Sequence, residues 1–342
     1  MRALVIVEPG RPLELRDLPR PEPGPGELLV QVEAAGICHS DAHYRDGTGN
    51  LTRLPLIPGH EIAGKVVGLG SEHRGIPLGA RVALHYLVTC GRCERCARGL
   101  EQFCDEVAML GKDLPGGYAE YVVAPAANAV RLPDLLDPAE AAVMMCSTAT
   151  ALHALDKARL RPGETVAVFG AGGLGQSAVK LARVLGASAV YAVEVAPAKR
   201  AAAARSGAIT IDPADGPPER QIRELTRGRG VDVALELVGL PLTAEQAVAA
   251  VGVQGRVALA GLSREPFRVR SYPDVLGREL ELIGVSDHRR EELDRLMELA
   301  RTGALELGSV VAERLPLEAD AVNERLDALA SFRGATRSVI TP

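Results

Sequence analysis

The sequence contains no tryptophan, only four phenylalanines and six tyrosines, and no long run of charge of either sign. With a formal net charge of −5, the missing charge runs remove the electrostatic footprint of a nucleic-acid or anionic-membrane binder, and a small-molecule partner is expected instead. An apolar stretch of bilayer-spanning length is also lacking. The opening MRALVIVEPG meets Glu8 and Pro9 too early to cross a membrane or to form the core of an export signal, so a first strand is expected there. A cytoplasmic location follows as an expectation, and in that reducing compartment clustered cysteines are more often metal ligands than disulfides.

What is present is ordinary globular composition, 47% hydrophobic and 24% charged over 342 residues, enough for two domains with their own cores. Up to about residue 145 short β-rich runs such as 28–37 and 119–125 are punctuated by Gly and Pro, with no long helix before Ala139. From Thr165 the rhythm changes. Apolar runs at 165–169, 189–193, 208–211, 231–238, 256–260 and 280–284 alternate with helix-length segments, two of which stop at Gly186 and Gly207. Such alternation predicts an α/β fold with a doubly wound parallel sheet. The later pieces, a helix over 291–303, the run 310–316, a helix near Ala319–Ala330 and SVIT at 338–341, do not continue the six-strand count. They are expected to return to the first domain, giving domains of 1–147 with 287–342, and 148–286.

The strand TVAVF runs into GAGGLG, a G-x-G-x-x-G match that opens a helix. Gly170 permits the tight turn, Gly172 lets backbone approach a pyrophosphate, and Gly175 allows helix and strand to pack closely, with Gly173 and Leu174 offering N–H groups at the helix start. Glu194 ends the next strand, where a carboxylate can take both ribose hydroxyls and repel a 2′-phosphate, favouring NAD over NADP. Lys199 and Arg200, close by in sequence, soften that preference.

All six cysteines have candidate roles. Cys90, Cys93, Cys96 and Cys104 follow C-x2-C-x2-C-x7-C, which wraps one tetrahedral zinc and leaves no open position, so this lobe reads as structural. The final spacing and the following Asp105 do not match the ferredoxin cluster run; two disulfides or free thiols are the bland alternative. Cys38 and Cys146 have no cysteine neighbour, and on composition alone Cys146 reads as a buried core thiol. With His60 in PGHE they form a Cys, His, Cys set, the ligand type that leaves a catalytic zinc one open position, but spacing does not establish that the three converge.

The chain resembles the zinc-containing medium-chain alcohol dehydrogenases over nearly its whole length. The resemblance rests on GICHSDAH (36–43), PGHE (58–61), the four-cysteine lobe, GGYAEY (116–121), Cys146 with Thr150, and GAGGLG. It implies a GroES-like catalytic domain joined to a Rossmann domain, with an active site in the cleft between them and two zinc ions per chain. Cys38, His60 and Cys146 are implied as catalytic zinc ligands, with Glu61 beside the ion and Asp41 orienting His60. Ser40 is implied to touch the substrate oxygen, His43 to pass its proton to solvent, His39 to contact the pyrophosphate, Thr150 to lie near the nicotinamide and Lys199 near the adenosine ribose. His73, His85, His153 and His288 have no comparable claim to the metal.

The expected activity is reversible NAD-linked oxidation of primary or secondary alcohols to aldehydes or ketones, by a homotetramer or homodimer. A polyol dehydrogenase of sorbitol type shares the fold but usually has Glu where this chain has Cys146. A non-enzymatic zinc ribbon with a nucleotide-sensing domain is the reading from another class, disfavoured by the lack of a basic patch. His85, Tyr86 and Leu87 stand where the resemblance puts pocket-wall residues.

Overall fold

The computed structural model describes every residue except 73–74, 332–333 and 335, so His73 lies outside the described residues. The chain divides into two compact units, one made of Met1–Cys146 with Arg289–Pro342 and the other of Ser147–His288.

The first unit is built on a seven-stranded sheet whose centre is Glu27–Ile37. That strand is buried along most of both faces, which suits its near-continuous apolar sequence. It pairs antiparallel with Glu61–Leu69, with Tyr121–Pro125 and with Ser338–Thr341. Ser338–Thr341 in turn pairs parallel with Glu313–Pro316. The core joins both stretches of sequence: Val30, Ile37, Ile62, Leu84 and Tyr118 cluster with Leu317, Val322, Leu326 and Ile340. The helix Ala319–Ala330 thus buries Val322 and Leu326, one turn apart on one face. Among the described residues the α-helices that precede Pro138–Val143, His39–Arg45 and Glu94–Ala97, are short.

The second unit holds six parallel strands, one in each apolar run marked in the sequence. Their spatial order is Ile209–Ile211, Ala189–Val193, Thr165–Phe169, Val231–Glu236, Val251–Leu259 and Glu281–Gly284. The order runs outward in one direction from Thr165–Phe169 and then restarts on its other side, the reversal at which doubly wound sheets bind ligands. The fifth strand begins earlier than the run at 256–260. Gly252 and Gln254, the latter at φ +55°, interrupt the apolar pattern there and accompany a register irregularity. The helices Gly173–Val184 and Pro197–Arg205 stop ahead of Gly186 and Gly207, both at φ near +90°, as the sequence predicts. Among the described residues no helix is long and apolar enough to cross a membrane.

Candidate active site and nucleotide site

Cys38 follows the central strand and caps the helix His39–Arg45, where Asp41 in the first turn accepts the Cys38 N–H at Oδ2 over 2.8 Å. His60 comes from the turn before Glu61–Leu69, a turn that needs Gly59 at φ +93°. Cys146 lies in the π-helical turn Met144–Thr148, a local widening of the kind that recurs at functional sites because it redirects side chains. Folding brings ligand atoms of Cys38, His60, Glu61 and Cys146 within 4.8 Å of one another.

The orientation of His60 follows from its partner. His60 Nδ1 lies 3.1 Å from Asp41 Oδ1, and because a carboxylate can only accept, the neutral imidazole carries its proton on Nδ1 and presents its lone pair at Nε2. Tyr86 packs edge-on to the imidazole with ring centroids 5.2 Å apart, and Tyr44 does so at 6.4 Å. Burial favours the neutral imidazole, but Asp41 outweighs it and holds the His60 pKa above its ordinary range. Tyr118 donates to Asp41 Oδ2 at 2.9 Å, and burial together with that carboxylate keeps the phenol protonated.

Glu61 is fully buried, paired in register with Gly36, and a Cβ at Gly36 would lie 2.0 Å from Glu61 Oε2. Arg337 donates to Glu61 Oε1 and, at 2.9 Å, to the carbonyl of Ile37. Burial pushes the Glu61 pKa up to about 7 against the pull of Arg337, while Arg337 itself stays protonated. The Cys146 thiol, hydrogen-bonded to Cys38, holds the Cys38 sulfur well below the usual thiol range, with His60 and Arg337 assisting. Glu61 Oε2 has no hydrogen-bond partner among the described residues, and a carboxylate oxygen of Glu61 lies within 4.8 Å of two sulfurs and an imidazole nitrogen. These are donors a borderline cation such as zinc takes, and the set fits it.

Of the other predicted residues, Ser40 Oγ lies 3.8 Å from Cys38 Sγ. His43 Nδ1 is 3.3 Å from Thr48 Oγ1, and its ring centroid is 4.9 Å from that of His39. Thr48, Tyr118 and Arg337 were not singled out from the sequence; Tyr118 stands inside the GGYAEY landmark, whereas nothing local marks the other two. His85, Tyr86 and Leu87 are buried, and none of His85, His153 and His288 belongs to a metal-ligating group among the described residues.

In the four-cysteine lobe Cys104 Sγ lies 3.6 Å from Cys90 Sγ and 4.0 Å from Cys93 Sγ. A tetrahedron with Zn–S bonds of about 2.3 Å has edges of about 3.8 Å, whereas a disulfide would bring the sulfurs to about 2.0 Å. The backbone N–H of Cys90 points at Cys104 Sγ, that of Cys93 at Cys90 Sγ, and that of Glu106 at Cys104 Sγ, over 3.3 to 3.4 Å, as suits thiolates.

At the nucleotide loop the three glycines differ in kind. Gly170 has φ +91°, Gly172 faces open space at the start of Gly173–Val184, and a Cβ on Gly175 would strike the Gly170 carbonyl at 1.9 Å. The open space and the free helix start form a cradle that fits a dinucleotide pyrophosphate. Glu194 accepts the N–H groups of Ala171 and Ala196, each at 2.9 Å, and Gln176 bridges the carbonyls of Ala171 and Lys199. The Arg200 guanidinium donates to the carbonyls of Glu194 and Val195 and pairs with Asp212. Thr150 is half-buried in the helix Ala149–Lys157.

Residues 24–134 match the alcohol dehydrogenase GroES-like domain and residues 173–302 the zinc-binding dehydrogenase domain. A NAD-dependent alcohol dehydrogenase of Sulfurisphaera tokodaii is 34% identical, with 100% of both chains covered. The alcohol dehydrogenase structure from Aeropyrum pernix superposes with a TM-score of 0.90 at 31% identity over 100% of both chains. A zinc-binding dehydrogenase structure from Sinorhizobium meliloti, bound to NADP, gives 0.90 at 32% identity, covering 100% of this chain and 99% of that one. The chain belongs to the zinc-dependent alcohol dehydrogenases of the medium-chain dehydrogenase/reductase superfamily, oxidoreductases of CH–OH groups that use NAD and zinc.

Proposed function

We propose that the chain oxidises a primary or secondary alcohol reversibly to the aldehyde or ketone with NAD, using the site built around Cys38, His60 and Cys146. The observation that carries this reading is the convergence of those three ligands, with Glu61, within 4.8 Å. Bound zinc supplies Lewis acidity that lowers the pKa of an alcohol, and NAD supplies the hydride acceptor. Asp41 holds His60 in the tautomer that offers Nε2. Ser40 takes the substrate hydroxyl proton and His43 hands it to solvent, with the Thr48 hydroxyl beside its Nδ1 as a further proton partner. Glu61, backed by Arg337, keeps one oxygen available to the metal.

In the same reading Gly170–Gly175 holds the pyrophosphate, with His39 as a further contact, and Glu194 and Lys199 take the adenosine ribose; Thr150 lies near the nicotinamide. Residues 1–147 with 287–342 form the catalytic domain and 148–286 the nucleotide domain. Cys90, Cys93, Cys96 and Cys104 hold the structural zinc. The chain works in the cytoplasm as a homodimer or homotetramer on a small-molecule substrate.

Cys146→Ala tests the assignment: turnover is abolished, zinc content falls from two ions per chain to one, and NADH affinity by fluorescence titration is unchanged. Undiminished activity in that variant sinks the site. A panel of primary, secondary, cyclic and aromatic alcohols with NAD and NADP identifies the substrate class.

A further inference from the structure

Tyr118 is fully buried and touches the metal site by two separate routes. The first is through the main chain. The N–H groups of Gly116, Gly117 and Tyr118 bond to the carbonyls of Ile57, Gly59 and Pro58 at 2.8, 2.8 and 3.0 Å, clamping the segment that delivers His60. The aromatic ring lies on Gly59, where an added Cβ would come within 2.2 Å of Tyr118 Cδ1. The second route is the hydroxyl, which donates to Asp41 Oδ2 at 2.9 Å. That oxygen also accepts the Cys38 N–H, while Oδ1 of the same carboxylate takes His60 Nδ1.

We propose that Tyr118 is a positioning residue for the open zinc site, acting through Asp41 to fix the Cys38 backbone and the His60 ring together. The proposal rests on the metal-site reading above. A carboxylate with donors on both oxygens cannot turn about its χ2 without breaking a buried hydrogen bond, and an unmade one is costly. Without the phenol, Oδ2 keeps only the Cys38 N–H, so one buried hydrogen bond fewer resists rotation of the carboxylate away from His60. Phenylalanine retains the ring on Gly59 and every main-chain bond, so Tyr118→Phe separates the hydroxyl from the packing.

The experiment follows zinc release from the purified holoenzyme to a chromophoric chelator, for wild type, Tyr118→Phe, Asp41→Ala and the double variant. In Tyr118→Phe one ion per chain leaves about 10- to 100-fold faster, the range typical when a ligand's outer partner is lost, and the other leaves at the wild-type rate. kcat falls while KM and NADH affinity hold, since the cofactor site is untouched. In the Asp41→Ala background the same change adds less than about twofold, because the route through Asp41 is already gone. Unchanged release of both ions overturns the proposal. So does equal acceleration with and without Asp41, which assigns the effect to packing. A wild-type enzyme that holds a single zinc overturns the underlying site reading, and the proposal falls with it.

Discussion

Arg337 donates to Glu61 across 276 positions of sequence, and the two side chains are only 7% and 0% exposed. A buried cation thus lies against a buried carboxylate in the residue next to His60. Arg337→Met removes the compensation and leaves Glu61 in a low-dielectric pocket, so the metal-free protein should lose about 3 to 5 kcal/mol of stability. Adding Glu61→Gln should recover most of it. Urea denaturation of the three proteins checks this, and a loss below about 1 kcal/mol in the single variant would falsify the compensation argument.

If Arg200 bears on nucleotide choice, the groups that hold its guanidinium should tune it. Asp212 and two carbonyls hold its guanidinium, so Arg200 is not a mobile cation beside Glu194. Asp212→Ala releases Arg200, and the ratio of kcat/KM for NADP over NAD should rise about tenfold, corresponding to about 1.4 kcal/mol. Steady-state kinetics with both cofactors measure the ratio; no change means Arg200 has no part in discrimination.

His85 predicts a pH dependence of stability. Burial, and then the charge of Arg290, push its pKa down from 6.5 to about 4, so the folded protein binds this proton later than the unfolded chain. The sign follows: stability present above pH 6.5 is lost as the pH falls towards about 4, by at most about 3 kcal/mol. His85→Gln should have a flatter stability profile across that window in the metal-free protein. Parallel profiles for the two proteins would remove His85 as the cause.

The cysteine lobe makes a prediction independent of the catalytic site. Cys96→Ser should hold one zinc per chain instead of two, with faster amide exchange through residues 90–106 and a lower Tm, because metal binding there is folding free energy. Metal analysis that still finds two ions contradicts the structural-site assignment.

The glycine loop and the cysteine lobe were legible in the sequence because their requirements are local: a positive φ, an absent Cβ, or four sulfurs within one wrap of chain. The six parallel strands were legible for a similar reason, since strands buried on both faces read as short apolar runs. Cys146 was not, because a thiol among apolar residues looks like core, and the π-helical turn that carries it has no sequence signature. Resemblance supplied that candidate ligand, and the fold brings it close to Cys38 and His60. Arg337 and the Tyr118 hydroxyl escaped notice since their meaning lies in partners hundreds or scores of residues away. The ion pair that holds Arg200 was not legible either, since Asp212 lies at the end of another strand.

The first unit's sheet includes Ser338–Thr341, and the guanidinium that neutralises Glu61 stands just before it. On the ribosome, then, residues 147–288 emerge as an uninterrupted stretch able to close their own sheet, while the earlier-made Cys38, His60 and Cys146 wait for residues synthesised long after them. The Glu61–Arg337 pair beside that cluster can therefore form only after Arg337, just before the strand Ser338–Thr341, has been made.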